Sequence, residues 1–253
     1  MKKTLSVWML LVRSTFLKLL ALLAALAGAD VLLLMQGRAA LARHLAALPE
    51  GFEVAPPNLE TVFGASHIPL ACGAALVLLV LLLSLPGWQR GAKPAYTLAR
   101  LRIDRRQLYF CHVLHSAVCL ALFWAANALA LLGLLAWAGP RWFGEAYGPQ
   151  ALMLAVYRTP LLHSLLPLAD WALLLRNLSA LALLAVLLGR TVLARSKTVR
   201  WGLLLFTGVV LVFFPQAVPL ADRWMMLVQA SVLLVFAAGT VYTVLQREVH
   251  DEL

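Results

Sequence analysis

The chain has 253 residues and a formal net charge of +10, and 63% of its residues are hydrophobic while only 13% are charged. A soluble domain is typically about 45–50% apolar and about 25% charged, so this composition excludes an ordinary soluble fold. Long apolar runs, such as residues 70–85 and 174–188, predict membrane-spanning helices instead, because about 20 helical residues cross the hydrocarbon core.

The first predicted element is an amphipathic segment at residues 1–15, followed by a first span at about residues 16–35. The apolar face of the segment consists of Leu5, Trp8, Met9 and Val12. Such a face among basic residues is typical of an interfacial helix on the cytoplasmic leaflet. A cleavable signal peptide is the competing interpretation, because small residues at 27–29 resemble a cleavage site. Arg13 and Lys18 interrupt the early region, however, and the apolar run continues to residue 35.

Five further spans are predicted along the chain. They lie at about residues 68–85, 108–137, 168–193, 201–214 and 224–245. Pro86 ends the second span, and Pro215 and Pro219 close the fifth, since proline interrupts a helix. In lipid a spanning backbone must satisfy its own hydrogen bonds, which favours helices here. The fold class is therefore all-α, a single transmembrane domain over residues 1–253 with about six helices in a polytopic bundle.

The lysine and arginine residues alternate across these spans. Fifteen lie in one set of loops and five in the alternating set, while Arg176 falls inside the fourth span. The larger set comprises Lys2, Lys3, Arg13, Lys18, Arg90, Lys93, Arg100, Arg102, Arg105, Arg106, Arg190, Arg195, Lys197, Arg200 and Arg247. The smaller set comprises Arg38, Arg43, Arg141, Arg158 and Arg223. Because cytoplasmic loops carry the excess of positive charge, both termini are predicted to lie in the cytoplasm.

The loop between the second and third spans holds the most informative stretch, PAYTLARLRIDRRQL at residues 94–108. Pro94 is suited to open a helix, and leucines then recur near one face while arginines cover much of the rest. One interpretation is a basic amphipathic helix on anionic lipid, which would explain the arginines by itself. The other is a docking element for a cytoplasmic partner. The candidate docking residues are Leu98, Arg100, Leu101, Arg102, Asp104, Arg105 and Arg106.

This stretch, followed by a long span, resembles the permease subunits of ABC-2-type ABC transporters. In that family a cytoplasmic helix after the second span contacts the ATPase subunit and couples hydrolysis to transport. The interfacial segment, six spans and cytoplasmic termini match the same architecture.

The resemblance implies a multi-pass subunit of an exporter in the bacterial inner membrane, which works as a homodimer or heterodimer of permease subunits. ATP and magnesium would then be bound by a separate cytoplasmic ABC ATPase subunit, and this chain would hold no cofactor. The chain departs from the family at residues 215–223, which are too few for the re-entrant hairpin often found between the last two spans. Residues 139–167 form a long connection instead, which is predicted to lie on the outer interface.

The sequence contains no recognisable nucleotide-binding or catalytic motif. G-x-x-x-x-G-K-[ST], H-E-x-x-H and G-x-S-x-G are all absent, so the chain is predicted not to be an enzyme. Nucleic acid is not an expected partner, because membrane topology already accounts for the positive charge. The alternative function is a non-catalytic membrane scaffold or assembly factor of another membrane complex.

Three polar residues inside the predicted spans are candidates for an intramembrane path: Asp30, Arg176 and Asn127. Ionisable residues are costly in lipid and usually face the bundle interior, so Asp30 and Arg176 are predicted to approach each other or to line a shared cleft. The alternative is that both lie near span ends and extend to the interface, while Asn127 joins helices. His112 and His115 are interpreted as packed or interfacial residues rather than metal ligands, and the three cysteines as small buried hydrophobes.

Overall fold

The structure is a computed structural model that describes residues 2–47, 58–88, 104–144, 147–167, 170–194, 196–213 and 223–251. In these ranges the regular structure is helical, which confirms the predicted all-α class. The helices are α1 (Lys2–Ala46), α2 (Leu59–Ala65), α3 (Ile68–Trp88), α4 (Arg105–Phe143), α5 (Pro149–Arg158), α6 (Pro160–Leu165), α7 (Trp171–Leu193), α8 (Lys197–Phe213) and α9 (Arg223–Asp251).

Five of the described helices are long and apolar enough to cross a membrane: α1, α3, α4, α7 and α9. They correspond to five of the predicted spans, and the chain therefore has the character of a multi-pass helical membrane protein. The predicted fifth span falls on α8, which has 17 residues, slightly fewer than the roughly 20 that cross a bilayer. Residues 214–222 lie outside the described part, so the number of six spans stays a prediction.

Helix α1 differs from the expected arrangement in being continuous. It runs for 45 residues, about 67 Å at 1.5 Å per residue, and no separate interfacial helix precedes a first span within residues 2–46. The physical reason is that no proline interrupts this leucine- and alanine-rich stretch, and Leu and Ala are strong helix formers. One stripe of the helix is buried while the opposite face exposes large apolar side chains, such as Leu17 and Leu32.

Helix α4 also extends beyond its predicted span at both ends. It has 39 residues and includes Arg105 and Arg106, which the sequence assigns to a separate cytoplasmic helix at residues 94–107. Residues 94–103 lie outside the described part. Arg105 and Arg106 therefore form the first turn of a helix that is long and apolar enough to cross a membrane.

The described helices divide between two compact units. The first comprises Met1–Leu20, Leu76–Leu122 and Asp170–Leu253. Its centre is α7, which packs against α9 and α8, and Ala172 and Leu173 form a buried cluster with Met226 of α9. Gly189 allows α7 to approach α4 closely, because a Cβ there would lie 2.6 Å from Cγ2 of Val113.

The second unit comprises Ala21–Ala75 and Phe123–Ala169. It contains α5 and α6, which pack against each other, and α2, which contacts α5. The predicted long connection at 139–167 thus folds into two short helices, and α5 exposes Met153, Leu154 and Tyr157. Exposed apolar side chains on a short helix suit an interfacial position, which stays a prediction.

Candidate functional site

The basic end of α4 is the described part of the predicted docking element. The backbone N–H of Arg106 donates to Oδ1 of Asp104 at 3.4 Å, and the N–H of Leu108 donates to the Asp104 carbonyl at 3.0 Å. Asp104 therefore occupies the N-cap position, where a carboxylate satisfies an otherwise unpaired N–H group. The sequence-based prediction grouped Asp104 with the docking residues, and the structure gives it this local role as well.

Arg105 and Arg106 follow the cap in the first helical turn, and Arg105 is exposed. The N-terminus of a helix carries partial positive charge, so two arginines there oppose the helix dipole. Positions at which a residue opposes the stability of its own helix are often functional sites. Leu98, Arg100, Leu101 and Arg102 belong to the same predicted element but lie outside the described residues.

In the second unit, Asp30 of α1 belongs to a buried polar cluster. The side chain is 1% exposed, so it is buried within the protein and does not extend to an interface. Cys72 of α3 lies within electrostatic range of the Asp30 carboxylate, and its thiol donates to Oδ1 of Asn127 on α4 at 3.7 Å. The structure thus gathers two of the three predicted path residues, Asp30 and Asn127, around a cysteine that the sequence treated as a hydrophobe.

Arg176 belongs to the first unit, on α7. It is 3% exposed, and its Nε and Nη2 atoms donate to Oδ1 of Asn177 at 3.4 and 3.3 Å. Asp170 lies immediately before α7, and its Oδ1 caps the helix by accepting from the backbone N–H groups of Ala172 and Leu173. Because Asp30 and Arg176 lie in different units, their approach stays a prediction.

The first unit also contains a polar link that sequence reasoning missed. Nε2 of His115 on α4 lies 3.0 Å from Oγ1 of Thr15 on α1 and 3.7 Å from the sulfur of Cys119. The ring of Trp8 contacts the same imidazole edge-on, at 5.7 Å between centroids. His112, one turn away, is buried, and its Nε2 atom has no hydrogen-bond partner among the described residues.

A sequence signal for this link exists in retrospect. Val7, Leu11, Thr15 and Leu19 recur every four residues and are all buried, so Thr15 interrupts an apolar stripe. A hydroxyl in such a stripe requires a partner. Within the described ranges, no group of three His, Cys, Asp or Glu residues is arranged to hold a metal ion.

Several arginines that the charge count assigned to loops have structural partners. Arg200 is 3% exposed, and its Nη2 donates to the carbonyl of Ala194 at 2.6 Å, which satisfies the end of α7. In the second unit, the guanidinium of Arg38 lies 4.7 Å from the Trp142 ring centroid. These residues thus stabilise helix ends and packing in addition to any role in topology.

The second unit contains two further side-chain contacts, one between α2 and α5 and one beside the end of α4. Arg158 approaches Glu60 at 3.7 Å, although both side chains are substantially exposed and the pair is expected to contribute little. Tyr147 packs over Gly139, and its hydroxyl donates to the carbonyl of Leu135 at 3.4 Å. Partial burial raises the pKa of Tyr147.

Comparisons with protein-family models, with curated proteins and with solved structures find no match for this chain.

Proposed function

We propose that the chain is the membrane-spanning permease subunit of an ATP-driven transporter of the ABC-2 type, an exporter whose ATPase is a separate cytoplasmic subunit. The observation that carries the proposal is the basic start of α4. Arg105 and Arg106 oppose the helix dipole, and in this proposal they contact an acidic surface of the partner subunit. An arginine fork pairs with a carboxylate in a defined geometry, so such a contact is specific.

The continuity of α4 supports a mechanism for coupling. The helix extends without interruption for 39 residues, about 58 Å, and Asp104 holds its first turn in helical geometry. A displacement of the arginines by a partner would therefore tilt or shift the whole helix instead of unwinding its end. The proposed transport cycle converts ATPase motion into movement of this helix, with ATP and magnesium held by the partner subunit.

The experiment that tests the proposal compares charge reversals at matched cytoplasmic positions. The full chain carrying an affinity tag is purified from native membranes, and ATP hydrolysis and bound ATPase are measured in the eluate. Arg105→Glu and Arg106→Glu, made singly, are expected to abolish ATPase recovery. Lys93→Glu removes the same charge outside the proposed docking helix and is expected to retain it. Protein level and topology are checked for each variant, because loss of positive charge also affects insertion.

Two results would contradict the proposal in different ways. Equal and small effects at Lys93, Arg105 and Arg106 would favour a helix that binds anionic lipid, since each charge then contributes similarly, about 1 kcal/mol. The absence of any ATPase with the unmodified chain would remove the transporter proposal. Recovery of a different membrane complex in that case would support the scaffold or assembly factor.

A further inference from the structure

The carboxylate of Asp30 is buried without a hydrogen-bond partner. The residue is 1% exposed, and neither Oδ1 nor Oδ2 accepts a hydrogen bond from any described residue. It lies on α1 between Leu26 and Leu34, which are themselves buried and one turn away on either side. Both oxygen atoms of the carboxyl group are therefore removed from water, and neither accepts a hydrogen bond from a described residue.

The neighbouring polar groups do not neutralise it. The thiol of Cys72 on α3 interacts electrostatically with Asp30, but it donates its hydrogen bond to Asn127 of α4. Asn127 is an amide and does not titrate. Among the described residues no Lys, Arg or His donates a hydrogen bond to either Asp30 oxygen.

An ionised carboxylate in such surroundings is strongly disfavoured, because it loses hydration and gains neither a donor nor a counter-ion. The negative charge can be removed by a metal cation, by a basic side chain or by a proton. No described group of three metal-binding side chains surrounds the residue, which argues against a metal. A proton requires neither a coordination shell nor a cavity, since it makes the carboxyl group neutral.

We propose that Asp30 is a proton-binding site within the membrane-spanning part of the chain. The carboxyl group is neutral in the arrangement described here, after uptake of one proton from solvent by one carboxylate oxygen. It returns that proton to solvent when water reaches the site, and no other bond forms or breaks. This inference is independent of the proposed transport function, because it depends only on the surroundings of Asp30.

Dicyclohexylcarbodiimide provides a direct test. This apolar reagent partitions into membranes and reacts with a protonated carboxyl group, whose O–H adds across one C=N bond to form an acylisourea that rearranges to a stable acylurea. The full chain in native membrane vesicles is treated with the reagent and digested, and the modified peptide is identified by mass spectrometry. We expect modification mainly at Asp30, with less modification as the buffer changes from mildly acidic to mildly alkaline.

The chain supplies matched controls. Asp30→Asn is expected to fold, because it replaces the neutral acid by a neutral group of the same shape, and to lose the modification completely. Asp30→Glu is expected to retain it. Asp170 is buried to a similar extent, 3% exposed. Its Oδ1 accepts two backbone hydrogen bonds, although its Oδ2 has no partner among the described residues, so it should be modified less than Asp30. A water-soluble carbodiimide should show the opposite selectivity and modify exposed acids such as Asp104.

Three outcomes would overturn the proposal. The first is an unmodified Asp30 at every pH in correctly inserted protein. The second is modification spread equally over Asp30, Asp104 and Asp170, which would show that reactivity does not depend on the environment. The third is modification of Asp30 that appears only after Arg176→Ala, because Asp30 would then be the ionised partner of that arginine.

Discussion

Individual glycine residues mark positions at which two elements of one unit pack closely together. Gly37 lies in the C-terminal part of α1, and a Cβ built on it would lie 2.8 Å from the carbonyl oxygen of Val62 and 3.0 Å from Cβ of Ser66. A backbone carbonyl cannot move aside as a flexible side chain can. Gly28 lies on the same helix, and a Cβ there meets no atom within 4 Å.

These two glycines give a prediction with an internal control. Gly37→Ala should destabilise the folded protein by about 1–3 kcal/mol, because the added methyl group forces α1 away from α2. Gly28→Ala should be neutral or stabilise by up to about 1 kcal/mol, since alanine is the better helix former. Thermal unfolding in detergent, followed by circular dichroism, measures both variants. Equal midpoints for the two variants would contradict the close packing at Gly37.

A second residue-scale prediction concerns the link between Thr15 and His115. Thr15→Val keeps the side-chain shape but removes the oxygen that lies 3.0 Å from Nε2 of His115. The imidazole is 4% exposed, so losing a partner should cost about 1–3 kcal/mol. Ser14→Ala is the control. Both hydroxyls donate to the Leu11 carbonyl of their own helix, and that of Thr15 contacts His115 as well, so the Ser14 change is expected to contribute little.

The same unfolding assay measures the Thr15 and Ser14 variants. His115→Ala should cost more, because it also removes the contacts with Cys119 and Trp8. Combining it with Thr15→Val should cost less than the sum of the two single changes, since both remove the same Thr15–His115 interaction. Fully additive effects would show that the two side chains do not depend on each other.

At the scale of elements, several helices begin or end beside a residue whose side chain forms hydrogen bonds with the backbone of the helix end. Asp104 begins α4, Asp170 begins α7, and Asn58 caps α2 with a reciprocal pair of hydrogen bonds to Thr61. Arg200 satisfies the carbonyl of Ala194 just after α7. Each of these residues satisfies backbone groups that a helix end leaves unpaired. The residues near a helix end therefore specify where the helix begins or stops, even where the hydrophobic pattern does not mark the boundary.

The prediction at this scale concerns the cap of α4. Asp104→Ala should destabilise the first turn by about 0.5–2 kcal/mol, whereas Asp104→Asn should preserve it, because asparagine is an equally good N-cap residue. Hydrogen–deuterium exchange of peptides covering residues 105–112 measures the opening of this turn. Fast exchange in both variants would mean that the charge of Asp104, and not its capping geometry, holds the turn.

At the scale of the whole molecule, the distribution of charge predicts how the chain is inserted. Fifteen lysine and arginine residues lie on one side of the predicted spans and five on the other. Structural partners for Arg200, Arg38 and Arg158 do not alter that asymmetry, because insertion responds to the sequence of loops near the span ends.

Reporter fusions test this topology. A reporter that is active only in the cytoplasm should be active when fused after Leu253 or within residues 90–93. It should be silent within residues 56–58 or 144–148. Activity at either of the latter positions would contradict the predicted orientation. Silence at all four positions would indicate loss of the fusion protein, so protein levels are measured as the control.

The sequence by itself determined the helical class, the positions of the long apolar elements and the presence of buried polar residues. Composition and hydropathy suffice for these features, because a helix in lipid satisfies its own backbone and needs about 20 apolar residues regardless of its neighbours. Helix ends were less predictable: α1 and α4 extend beyond their predicted spans, since hydropathy marks the apolar part of a helix and not its polar continuation.

Only the tertiary structure decided which polar residues meet. Asp30, Cys72 and Asn127 are far apart in the chain, as are Thr15 and His115, and nothing in their local sequence indicates which helix faces which. The pairing depends on the rotation of each helix about its axis, and that rotation is fixed by packing contacts such as those at Gly37 and Gly189. Hydropathy averages over all faces of a helix, so it registers that a polar side chain is buried but not what lies opposite it.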